Sequence, residues 1–590
     1  MERNEVELSR KWKIEDIFES EAAWEAAFQE LSQKLNFSSW KGTLHTAENA
    51  LAFFKKQDEI GAQFSRLYVY ALMKQNEDAR EAEGNVRLSK AASLLARFGA
   101  ELSFVDPELL ALPEETLKGW IEDPRFADHD YMLRSLLRSK AHVLSESEEK
   151  LLAMASEATG SFSKIFSMIN NADLDLPTVL WNGEQTRLTH GLFGMILSAG
   201  DRELRQDAFR KYYGAYIRLG NTIAENYYGA VKSTVFGMRA SHYDSCLGMA
   251  LARTDVPPAI YQNLMDCVNE NVSLMHDYIR FRKEALGLEE QHMYDIYAPI
   301  VSEGEIRLPY EEAHAFVVEG LSVLGEDYQE LLRKAKEERW IDVEETAGKR
   351  SGAYSISAPG VHPYVLLNYH PDTRDIFTLA HELGHAMHSY YSEKHQPLAK
   401  ANYRIFVAEV ASTVNEVLLL HHILNTTKDD NVKKYVLNYH LDQLRATLFR
   451  QTQFAMFEYE AHKMVEEGYP LTKQNLYDLY YDLNRKIYGD GIVHDEEIGY
   501  EWSRIPHFYT PFYVYQYATG ITSAVSIANR ILKEGKPAVD AYKKFLSSGG
   551  SDSPAELLKL AGVDLTKKEA FDTVMQDFAD TLAALKALVL

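Results

Sequence analysis

Cysteine is nearly missing from this chain: Cys246 and Cys267 are the only two in 590 residues. A disulfide framework is therefore excluded as the source of stability, and two reduced, buried thiols in a cytoplasmic protein are expected. Nothing in Ser241-His242-Tyr243-Asp244-Ser245, just ahead of Cys246, marks that thiol as a nucleophile. Basic charge is also scarce, since 63 Lys and Arg face 87 Asp and Glu, a formal net charge of -24. Phosphate backbones are bound through clustered Lys and Arg, so nucleic acid is not an expected partner. There is no run of about 18 apolar residues of the kind that spans a bilayer, so no membrane partner is expected. The opening Met1-Glu2-Arg3-Asn4-Glu5-Val6 has no apolar leader segment, and a soluble, intracellular protein is the expectation. Internal repeats and low-complexity stretches are absent too.

What the chain does have is apolar mass. Hydrophobic residues make up 46% and aromatics 12%, with 35 Tyr, enough to build a large core and too much for a linker or disordered chain. Apolar residues recur at three- and four-residue spacing over 47–74, 86–105 and 145–171, which predicts long helices. Helicity breaks first at Thr178-Val179-Leu180-Trp181 and Thr186-Arg187-Leu188-Thr189, which flank Asn182-Gly183, a type I′ hairpin signal. That hairpin marks the expected boundary between an N-terminal helical region, 1–195, and a second region, 196–590. A second break lies between Ile341 and Tyr369, where Gly348, Gly352 and Gly360 punctuate two apolar runs, read as two short strands. Asp372 then offers an N-cap with Asp375 three residues on, and Ser553-Pro554-Ala555-Glu556 is a second capping signature. The expected fold is mainly α, with one small sheet directly before the chemistry.

The chemistry begins at His381-Glu382-Leu383-Gly384-His385. Histidines four apart on a helix share a face, with Cβ atoms about 6 Å apart, so both imidazoles can reach one zinc at about 2.0–2.1 Å per bond. Glu382 points about 100° round the helix, where it can take a proton from zinc-activated water without binding the metal. His388 shares the face but sits about 10.5 Å further along a regular helix, too far to bind the same ion. A better third ligand lies in the segment from Phe406 to Leu420, which is apolar on nearly every side yet carries Glu409 and Glu416. Carboxylates in a buried helix need partners, and a metal with its histidines would supply them. Seven residues apart, the two share a face; one can ligate and the other can hold a ligand imidazole. Spacing does not assign the roles.

Near the C-terminus, Arg504-Ile505-Pro506-His507-Phe508-Tyr509-Thr510-Pro511-Phe512-Tyr513-Val514-Tyr515-Gln516-Tyr517 is dense in tyrosine. His507 and the tyrosines offer neutral donors of the kind a tetrahedral oxyanion needs. Pro506 and Pro511 make the first part a turn ahead of a helix. Which tyrosine reaches the oxyanion stays open on these grounds.

Taken together, His381–His388, Phe406–Glu416 and Arg504–Gly520 resemble the oligoendopeptidase F family, within the thimet oligopeptidase and neurolysin type of zinc peptidase. Gly348–Ser355 and Leu546–Pro554 add weaker support. The resemblance covers most of the chain from about residue 200 on, and the N-terminal helical part agrees in kind. It implies one zinc held by His381, His385 and Glu409, with Glu416 orienting a ligand and Glu382 as the base. It implies His507 and a tyrosine as oxyanion donors, Tyr513 ahead of Tyr509 and Tyr517, whose spacing departs slightly from the thimet pattern. The implied fold is helical and two-lobed, with a deep channel that admits oligopeptides, and a sheet edge at Gly352, Ala353 and Tyr354 against which an extended peptide pairs. The implied activity is hydrolysis of internal bonds in short peptides. A zinc carboxypeptidase of the helical type and a non-catalytic peptide-binding scaffold are the alternatives.

Overall fold

In the computed structural model, which describes residues 1–301 and 303–590, helices carry most of the chain. Local sequence starts many of them. Thr46 accepts the Asn49 amide ahead of Ala47–Glu77, Asp372 accepts the Asp375 amide at 2.8 Å ahead of Thr373–His395, and Ser553 accepts that of Glu556. Each cap satisfies a backbone donor that the first turn leaves without a partner. The 145–171 stretch is less regular than its periodicity suggests. It breaks at Gly160 into Glu146–Thr159 and Ser161–Met168 and closes on a π turn, Ile169–Asp173.

The strands are few. β1 (Thr178–Trp181) and β2 (Glu184–Arg187) form the expected antiparallel hairpin, with Asn182 and Gly183 at φ of 52° and 83°, the two positive angles that a type I′ turn requires. A second sheet holds β3 (Ile341–Asp342), β4 (Tyr354–Ile356) and β5 (Tyr364–Leu366) in the order β3-β5-β4. β3 pairs parallel with β5 and β4 antiparallel, so β5 is buried in the centre and β4 is an outer strand. Two residues are too few for periodicity to announce β3. Buried Asp342 pins it, bound to Arg3 and Lys349 at 2.7 Å each. Burial pushes the Asp342 carboxyl up, but these two cations outweigh it and hold it below its usual range.

The chain divides into two compact units. One comprises Met1–Lys140, Ile306–Asn425 and Ala524–Val563; the other Ala141–Glu305, Thr426–Ser523 and Asp564–Leu590. In the first, Trp12, Trp24, Phe53, Phe54, Tyr364 and Leu366 share one core, which ties the Ala47–Glu77 helix to the sheet. The Ile405–Thr426 helix has the length and hydropathy to cross a membrane, but 72% of its apolar window is buried inside the protein, as in a core helix. In the second unit, Trp502, Phe508 and Tyr480 pack around Phe457, and buried Glu501 is gripped by Arg450 and Arg504. Burial raises the Glu501 carboxyl, yet the two guanidinium groups win and bring it to about 2.

Candidate metal centre

Two helices of the first unit build the centre, Thr373–His395 and Ile405–Thr426. They cross closely because Gly384 has no side chain. A Cβ there would sit 2.6 Å from both the Ala411 carbonyl oxygen and the Ser412 Cα, well inside contact distance. Beside the crossing, Asn415 donates to the Ala380 carbonyl at 3.0 Å and accepts the Tyr328 hydroxyl at 3.0 Å. One buried amide thus locks the two helices in register. Gly384, Asn415 and Tyr328 escape a reading based on ligand types. The available signal was a glycine inside a helix, where it costs about 1 kcal/mol and calls for a packing reason.

The crossing brings three ligand atoms together. His381 Nε2 lies 3.2 Å from His385 Nε2, and Glu409 Oε2 lies 3.3 and 3.4 Å from them. Tetrahedral bonds of about 2.0–2.1 Å place ligand atoms about 3.3–3.4 Å apart, so the triangle has the dimensions of a zinc face. Its chemistry fits as well. Glu416 Oε1 is 2.5 Å from His381 Nδ1, an acceptor placed to hold a proton on that nitrogen and so to leave Nε2 for a metal. Ser412 Oγ donates to Glu409 Oε2 at 3.2 Å and steadies that carboxylate. The two glutamates, whose spacing left their roles open, thus stand in different places.

The electrostatics mark the site for a cation. Burial lowers the affinity of His381 for a proton, but Glu409 and Glu416 outweigh it and hold its pKa well above the ordinary value. Glu409 is driven well below the usual carboxylate range, as its bonds to His381 and His385 overcome burial. Glu382 is buried, and that burial raises its pKa against the pull of His381 and His385. Its Oε2 has no hydrogen-bond partner among the described residues. His388 is fully buried, stacked on Tyr403 at 3.7 Å and packed against Phe545. Desolvation takes its pKa to about 3; it is a neutral core residue.

The other predicted residues fall in two places. In the first unit, Gly352 and Ala353 line a cavity of about 400 Å³ with Lys349, Asn368 and His370, and Gly352 turns at φ 83° just before β4. Tyr354, in β4, accepts the Asn76 amide at 2.8 Å. In the second unit, the His507 and Tyr513 rings lie near-parallel at 6.0 Å, and the Tyr517 hydroxyl is 3.4 Å from His507 Nε2. His507 is exposed, yet desolvation by the packing around it lowers its pKa, with Arg450 adding to the fall. Tyr509 is turned into packing instead, stacked on Phe166 at 4.6 Å with its hydroxyl accepting from Asn226.

Residues 195–577 match Peptidase family M3, and residues 108–175 match Oligopeptidase F. The chain is similar to oligopeptidase PepF of Bacillus subtilis, 42% identical over all of this chain and 88% of that protein. It is also similar to group B oligopeptidase PepB of Streptococcus agalactiae, 37% identical over 100% of this chain and 98% of that one. Among solved structures, oligoendopeptidase-F from Enterococcus faecium aligns with a TM-score of 0.75 at 34% identity, covering 96% of this chain and 98% of that one.

Proposed function

The chain belongs to peptidase family M3, and on that premise we propose that it is a zinc endopeptidase hydrolysing internal bonds of short oligopeptides. The observation that carries this is the triangle of His381 Nε2, His385 Nε2 and Glu409 Oε2, whose sides of 3.2, 3.3 and 3.4 Å suit a four-coordinate ion with one position left open. When bound, the metal supplies Lewis acidity, making water more acidic and polarising a peptide carbonyl.

The chain's own residues do the rest. Glu416 retains the proton on His381 Nδ1 and so fixes the direction of Nε2. Glu382 takes a proton from the attacking water and returns it to the leaving amine, a transfer favoured by a carboxyl whose pKa burial has raised. His507, held neutral by its lowered pKa, and Tyr513 donate hydrogen bonds to the developing oxyanion. Tyr517, with its hydroxyl beside His507 Nε2, flanks them as a substrate contact, whereas the packed Tyr509 supports that loop from behind. The segment Gly352-Ala353-Tyr354, which leads into the outer strand β4, gives an extended peptide a backbone edge. We place the enzyme in the cytoplasm, in keeping with its two buried free thiols.

Incubation with an oligopeptide blocked at both ends, followed by mass spectrometry, tests the endopeptidase assignment. Internal cleavage is expected. Cleavage confined to peptides with a free carboxyl terminus would identify a carboxypeptidase instead.

A further inference from the structure

Tyr513 follows a residue with an unusual backbone. Pro511 and Phe512 occupy a turn, and Phe512 has a φ of 55°, a left-handed value for which glycine is the ordinary choice after proline in such a turn. A bulky side chain pays about 1–2 kcal/mol to stay there, so something must hold it. The hold comes from the Arg450–Glu466 helix. Glu458 Oε1 accepts the Phe512 amide at 2.7 Å in a buried bond. The Phe512 ring packs on His462, 4.8 Å away and one helical turn past Glu458, and edge-on to Tyr261. The acid does nothing else visible: Oε2 has no hydrogen-bond partner among the described residues. Its surroundings are Tyr227 and Tyr261, with His462 bonded back to the Glu458 carbonyl. A carboxyl group left so deep without a cation is costly, and a purely structural position would be filled more cheaply by an apolar residue.

We propose that Glu458 is a positioning residue for the oxyanion tyrosine: by holding the Phe512 amide it fixes the left-handed turn that aims the Tyr513 hydroxyl. This rests on the assignment of Tyr513 as an oxyanion donor. The contact network fits such a role, because Tyr513 stands at the end of the held turn against His507 and edge-on to Tyr517 at 5.4 Å. Burial pushes the Glu458 carboxyl up to about 8, so near neutral pH a largely protonated acid accepts the amide with its carbonyl oxygen. A glutamine amide oxygen can therefore take its place.

A double-mutant cycle tests this. Glu458→Leu should lower kcat at least about tenfold, the scale expected when a catalytic group is misplaced, with KM and zinc content little changed. Glu458→Gln should keep kcat within about threefold, because its oxygen still meets the amide. In a Tyr513→Phe background, Glu458→Leu should cost little more, because the group it positions is already gone. Equal losses in both backgrounds, or a Glu458→Leu enzyme with unchanged kcat, would overturn the proposal. A fully active Tyr513→Phe enzyme would remove the premise itself, a different and recognisable result. If Glu458→Leu does not fold, Glu458→Asp, too short to reach the amide in the same way, takes its place in the cycle.

Discussion

Glu416 stands 2.5 Å from His381 Nδ1, and in the proposed role it governs the metal without touching it, by holding the proton there and leaving Nε2 free to bind. Replacing it by Ala should lower zinc affinity about 10- to 100-fold. Competition with a fluorescent chelator would measure this, and excess zinc should restore part of the turnover. Unchanged affinity would mean that Glu416 is only a core ion partner. At this scale the sequence was informative wherever spacing alone defines geometry. Histidines four apart on a helix must share a face, and Glu382 must stand beside them. It was silent on Glu409 against Glu416, because seven residues put both on one side, and only the neighbouring helix distinguishes them. Glu458 was invisible for the same reason. Its partner is a backbone amide 54 residues away, and no side-chain pattern encodes that.

The elements that matter most are the two helices crossing at Gly384. Putting Ala there would drive a methyl group into the Ala411 carbonyl and Ser412, forcing the helices apart. We expect Gly384→Ala to cost about 1–3 kcal/mol of stability and to weaken zinc binding. Gly99, in the Ala82–Leu102 helix, has open space around its Cα, so Gly99→Ala should be neutral or stabilising by up to about 1 kcal/mol. Thermal melts of the two variants, with and without zinc, separate packing from propensity. If both behave alike, the close crossing is not a requirement. Elements built from local rules, such as the Asn182-Gly183 hairpin and the Asp372 and Ser553 caps, were plain in the sequence. Strand β3 was not, because a two-residue strand exists only through its pairing with β5 and the ion pairs of Asp342. Nor was the break at Gly160, which interrupts a continuous helical periodicity.

For the whole molecule, acid should be a weak point. Burial lowers both His314 and His462 to about 4, below the ordinary value of about 6.5. The unfolded chain binds these protons first as pH falls. Their contribution is therefore complete above about 6.5 and disappears as pH drops through about 4, up to about 3 kcal/mol from each. Urea midpoints at pH 7 and pH 5 should differ more in the parent protein than in the His314→Gln, His462→Gln double variant. Equal slopes would show that other groups set the acid limit. In the proposed mechanism His381, His385 and Glu409 hold the metal while Glu382 moves the proton, and one paired measurement separates these two functions. Zinc content by elemental analysis and turnover of a doubly blocked oligopeptide are determined for the parent enzyme and for Glu382→Gln. We predict one zinc per chain in both and turnover in the parent alone, whereas a Glu382→Gln enzyme that binds zinc and still cleaves the peptide at the parental rate would contradict the account.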